Sequence, residues 1–109
     1  MAYNSELGNS IRAVLADHPG VSERKMFGGL CFLIHNNMAC GVIKDELMVR
    51  VGKNAYEEAL MQPHTREMDF TGRPLRGMVY VSAAGIDSEV GLAEWVQWGV
   101  DHATSLPPK

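Results

Sequence analysis

Cys31, His35 and Cys40 are the residues of this chain whose types could do chemistry together. Thiolate and imidazole bind zinc, and a thiol touching an oriented imidazole makes a nucleophile. Their spacing speaks against both. Leu30 to His35 reads as a strand, in which alternate residues share a face. Cys31 and His35 then point the same way, with Cα atoms roughly 13 Å apart. Zinc, with ligand bonds of about 2.0–2.3 Å, cannot join them. With Asn36-Asn37 as a two-residue hairpin turn, Cys40 faces Leu33. Cys31 and His35 are then its diagonal neighbours, at about 7–8 Å. That exceeds the ~4.4–6.8 Å Cα window of a disulfide. Both cysteines are therefore expected to be core thiols. No catalytic, metal or cofactor residue is assigned, and a small metal- or thiol-dependent enzyme is kept as the alternative.

The other titratable groups do not converge. Asp45 and Glu46 fall in a turn, Glu57 and Glu58 are adjacent on a short helix, and Glu89 and Glu94 sit toward the front of the last helix. His18 and His64 lie at element ends beside prolines, where solvent is their expected surrounding. His102, near the end of the last helix, would suit the helix dipole if protonated. The cations are more suggestive. Arg24, Lys25, Arg50, Arg73 and Arg76 could gather into one basic interaction patch if the loops meet at one end, with Lys53 and Arg66 nearby. The chain as a whole is acidic, with net charge −3 and pI 5.7, and no aromatic set interleaves with the cations as a base-stacking platform would. Nucleic-acid binding by this chain alone is not expected; a regulator that binds it through the arginines is a second alternative.

The stretch "RKMFGGLCF" holds the last candidate, Met26-Phe27-Gly28-Gly29. A phosphate-binding loop needs a lysine after its glycines and a helix behind it. Here the lysine comes first and an apolar strand follows. The glycine pair reads as a bend between two strands, with Phe27 and Phe32 as core anchors.

Periodicity supplies the elements. A helix is expected from Ser5, its N-cap, to Asp17, carrying Leu7, Ile11, Val14 and Leu15 at helical spacing. Strands follow over residues 21–27, 30–35, 38–43 and 47–51. A short helix over 54–61 stops before Pro63. A strand over 67–70, a loop over 71–74 and a strand over 78–83 lead to a helix capped by Asp87 or Ser88. That helix runs to about Ala103 on a stripe of Leu92, Trp95, Val96, Gly99 and Ala103. Strands grouped in blocks predict an α+β fold with an antiparallel sheet of five to six strands and three helices. The order is α-β-β-β-α-β-β-α, with room for a fourth strand in the first block.

The chain's 109 residues make one domain, 1–109, with residues 105–109 a frayed tail. Two cysteines exclude a disulfide scaffold and favour a reducing cytoplasm. No signal peptide or membrane span is expected. Phe32 and Ile34 on one face, and Leu33 and Val42 on the other, make both sheet faces apolar. Two such faces need two covers, so a homodimer could supply one.

The stretch "RKMFGGLCFLIHNNMACGVIKDELMVRVG" resembles the TfoX (Sxy) N-terminal domain family in its Met-Phe-Gly-Gly turn and the strands that follow. "GMVYVSAAGIDSEVGLAEWVQWGVDHA" is similar to the family's closing strand and helix. The resemblance implies the same α+β layout and kinship with bacterial competence regulators that act with a transcription activator. It offers no catalytic residues. Those regulators carry a second domain, so this chain is expected to be a stand-alone member. The expectation is a non-enzymatic cytoplasmic protein-interaction module, regulatory in setting, with a protein partner.

Overall fold

In the computed structural model the chain is described over residues 4–26, 28–70 and 73–107, with backbone alone for residues 26, 68–70 and 73–76. The first helix, α1 (Ser5–Val14), is capped by Asn4 rather than Ser5. Asn4 Oδ1 accepts the amides of Glu6 and Leu7 at 2.9 and 3.1 Å. Asn4 wins because it is also tethered to a distant turn: its amide donates to Lys44 O at 2.7 Å and its Nδ2 to Asp45 Oδ1 at 3.1 Å.

Four strands follow, filling the fourth place left open in the first block: β1 (Val21–Met26), β2 (Gly29–Ile34), β3 (Asn37–Ile43) and β4 (Glu46–Arg50). A 3-10 turn (Lys53–Ala55) runs into α2 (Tyr56–Leu60). β5 (Thr65–Phe70) and β6 (Arg73–Val81) are both longer than expected, and β6 absorbs Arg73 and Pro74 from the anticipated loop. Ser88 caps α3 (Glu89–Thr104), accepting the Gly91 amide at 3.0 Å. The six strands form one antiparallel sheet ordered β1-β2-β3-β4-β6-β5. The class is α+β, as the grouped strands predict.

The β2–β3 hairpin differs from expectation in two ways. Its two-residue turn is His35-Asn36, with φ of 51° and 68°, one residue before the expected Asn36-Asn37. Positive φ at both positions matches the twist of the flanking strands. The His35 amide donates to Gly20 O at 2.9 Å, which holds the turn there. Asn37 is thereby drawn into β3, buried, and its Nδ2 donates to Pro107 O at 2.9 Å, tying down the tail. Second, pairing shifts between Phe32↔Cys40 and Leu33↔Met38, leaving Ala39 as a bulge. Cys40 therefore faces Phe32, not Leu33, and Val42 lies with Phe32 and Ile34 rather than with Leu33.

All three helices cover one face. Ile11 of α1 and its C-cap Leu15, Tyr56 and Ala59 of α2, and Leu92, Trp95, Val96, Val100 and Ala103 of α3 join the strand residues Phe32, Ile34, Val42, Val49 and Val79 in the main core. Gly99 lets α3 approach so closely that a Cβ there would lie 2.2 Å from Ala39 O. The far face carries Cys31, Leu33, Met38, Met48 and Tyr80, all strand residues. They are at most 8% exposed, so this face is not an open apolar surface.

Candidate functional site

The sheet separates the residues that first suggested chemistry. Cys31 pairs with Gly41 on the far face and Cys40 with Phe32 on the helix face, so a bridge across the sheet is closed to them. Burial pushes the Cys31 thiol up to about 11. Burial, with the neighbouring Cys31, pushes Cys40 up to about 12. Neither is a thiolate near neutrality. His35 is exposed in the turn, outside the strand it was expected to end. Among the described residues no group of three His, Cys, Asp or Glu side chains could hold a metal ion.

Gly28 lies in the β1–β2 turn, and Gly29 opens β2 opposite Met26. Gly28 has φ +76°, while a Cβ on Gly29 would lie 2.1 Å from Val42 O. Phe27 lies outside the described residues, as does the Met26 side chain. The motif is a turn and a strand contact.

Of the basic residues, Arg24 and Lys25 lie apart from Arg50. Arg24 pairs with Cys31 and Lys25 with Leu30, so they project to opposite faces of edge strand β1. Arg50 ends β4, three strands away. Arg73 and Arg76 lie on β6 with their side chains outside the described residues. Arg66 stacks over the Tyr80 ring, 4.3 Å from its centroid, and pairs with Glu46. Arg12 donates from Nε and Nη2 to Glu23 at 2.7 Å, and that bond first, then burial working against it, leaves the Glu23 carboxyl lowered.

Two clefts emerge instead. One, of about 480 Å³, lies between the end of β4, the following 3-10 turn, β6 and the end of α3. Arg50, Lys53 and His102 line it, and among the described residues no carboxylate does. Its floor is a glycine pair. The amides of Val51 and Gly52 donate to Gly77 O at 2.8 and 3.0 Å, and Gly52 and Gly77 have φ of +88° and +95°. The His102 ring packs on Gly52, where a Cβ would lie 2.5 Å from His102 Nδ1. His102 does sit near the helix end, but burial first and the Arg50 charge second lower its pKa. Both disfavour the protonated imidazole and so work against the dipole.

The second cleft, of about 380 Å³, lies beside α3. Trp95 and Trp98 stack there with centroids 5.1 Å apart and planes 16° off parallel. Asp87, Glu94, Pro63 and His64 also line it, and no Lys or Arg is among its described lining residues. Met61, just before the lining residue Gln62, is 83% exposed. In the sequence Trp95 reads as part of the apolar stripe of the last helix, with Trp98 one turn further on. The signal for more was their i, i+3 spacing, which stacks them on one side of α3.

A six-stranded antiparallel sheet with all three helices contributing to the core of one face defines an α+β domain that carries a basic and an aromatic–acidic cleft. The family model of the TfoX N-terminal domain matches residues 13–103, and the chain belongs to that family. Among curated proteins and among solved structures, none matches the chain.

Proposed function

We propose that this protein is a regulatory, non-enzymatic binding module, cytoplasmic and related in role to competence regulators, whose partner is another protein. Membership in the TfoX N-terminal domain family supports the regulatory setting. Among the described residues no helix is long and apolar enough to cross a membrane. The observation that carries the reading is the stacked Trp95–Trp98 pair, half-buried at Trp98, in a cleft also lined by Gln62, the chain neighbour of exposed Met61. Tryptophan is the residue type most enriched where binding energy concentrates. The adjoining Asp87 and Glu94, with no Lys or Arg among the described lining residues, favour a partner that presents a basic side chain to the aromatic faces.

The test is quantitative affinity capture from the native host with the wild-type chain, Trp98→Ala, Glu94→Arg, and Ser22→Glu on β1 as a control. A protein retained by wild type and Ser22→Glu but lost from Trp98→Ala and Glu94→Arg, with circular dichroism unchanged, is the expected result. Its cross-linked segment should be basic. A partner retained equally by Glu94→Arg, or none enriched over the tag alone, would overturn the reading.

A further inference from the structure

We propose that the cleft between the end of β4 and the end of α3 is a binding site for a small molecule bearing a phosphomonoester, with Arg50, Lys53 and His102 as its recognition groups. Three features carry this. First, two cations of an acidic protein line one cavity with no carboxylate in the lining, and neither has an ion-pair partner among the described residues. Two positive charges match a dianion, and charge-assisted hydrogen bonds to phosphate are the strong kind. Second, the His102 ring takes the place of a Gly52 side chain, 2.5 Å from where a Cβ would lie, so the glycine sets the imidazole beside Arg50 and Lys53 in the cleft lining. Third, the volume of about 480 Å³ lies in the range of small-molecule sites.

The occupant is a small molecule rather than a nucleic-acid strand because, among the residues whose side chains are described, the cations do not continue into a stripe. Arg24 and Lys25 lie on β1, three strands from Arg50 and on opposite faces. His102 adds a conditional donor. Arg50 from β4 and Lys53 from the 3-10 turn line the cleft with it, and on its own helix Asp101 is engaged by Gln97 at 2.8 Å. A bound dianion opposes the burial and the Arg50 charge that lower the His102 pKa. It would draw a proton onto the ring.

Inorganic phosphate and sulfate, titrated at constant ionic strength and followed by amide and imidazole NMR, test the site. Saturable shifts at Gly52, Lys53, Gly77 and His102 are expected with phosphate. Affinity should fall about tenfold in Arg50→Gln and in Lys53→Gln. Both side chains are at least partly exposed, so the variants should fold. Sulfate, which keeps its charge between pH 5 and 8, should bind more tightly as pH falls, and His102→Gln should abolish that rise. No saturable shift at ~20 mM phosphate, roughly twentyfold above a Kd of 1 mM, would overturn the site. So would undiminished binding in both variants. Duplex DNA binding that the same substitutions remove, without any phosphate binding, would also overturn it in favour of a backbone contact. None of these readouts involves the tryptophan cleft, so this proposal and the protein-partner reading fail separately.

Discussion

A methyl group placed on Gly28 meets nothing within 4 Å, whereas one on Gly29 lands 2.1 Å from the carbonyl oxygen of Val42. The two glycines are therefore required for different reasons. At Gly28 the demand is the backbone angle, φ +76°, which costs an L-residue roughly 1–2 kcal/mol. At Gly29 it is space against a neighbouring strand, and forced overpacking costs about 1–3 kcal/mol even where side chains can yield. Main chain yields less. Urea denaturation should therefore show Gly29→Ala clearly less stable than Gly28→Ala. Equal losses, or the reverse order, would mean that the β1–β2 hairpin moves aside for the added carbon. The basic cleft repeats the pattern at Gly52, where angle and His102 both exclude a side chain. Gly52→Ala should accordingly lose stability and displace the His102 imidazole resonances together.

Among the elements, α3 and the β3 bulge fix one another. The bulge at Ala39 leaves its carbonyl against Gly99, with 2.2 Å to the place of an absent Cβ. Gly99→Ala should push α3 away from the sheet and destabilise the protein by about 1–3 kcal/mol, although alanine is the better helix former by about 1 kcal/mol. A stabilised Gly99→Ala variant in thermal melts would show that helix propensity outweighs this contact. The helix itself was legible in the sequence, since Leu92, Trp95, Val96, Gly99 and Ala103 repeat at its period and all are buried. The bulge was not. Residues 38–42 are all apolar or small and all buried, so no polar residue marks which face each takes. The turn was misplaced by one residue because Asn-Asn is a favoured positive-φ pair, while His35 takes φ 51° under the hold of Gly20. The basic cleft was beyond reach for a related reason. Arg50, Gly77 and His102 come from three separate elements, and only the insertion of β6 beside β4 brings them together.

For the molecule as a whole, the two thiols report on the two faces of one sheet. Cys31 lies in the far-face cluster and Cys40 in the helix-side core, on neighbouring strands. Both are raised from an ordinary 9.0, to about 11 and about 12. The unfolded chain thus loses its thiol protons above pH 9 while the folded chain keeps them. The stability from these neutral thiols is complete below pH 9 and declines as pH rises toward the folded values, by up to ~1.4 kcal/mol per pH unit for each thiol. Cys40→Ala should remove about half of that alkaline slope. At pH 8 neither thiol should react with an alkylating reagent in the native protein. In rising denaturant both should become reactive at one midpoint, because a sheet shared by both clusters has to open for either to be reached. If Cys31 reacts at lower denaturant than Cys40, the far face opens while the helix-covered core stays shut. The domain would then contain a separable unit, and the far face, closed in the resting fold, would be the surface released.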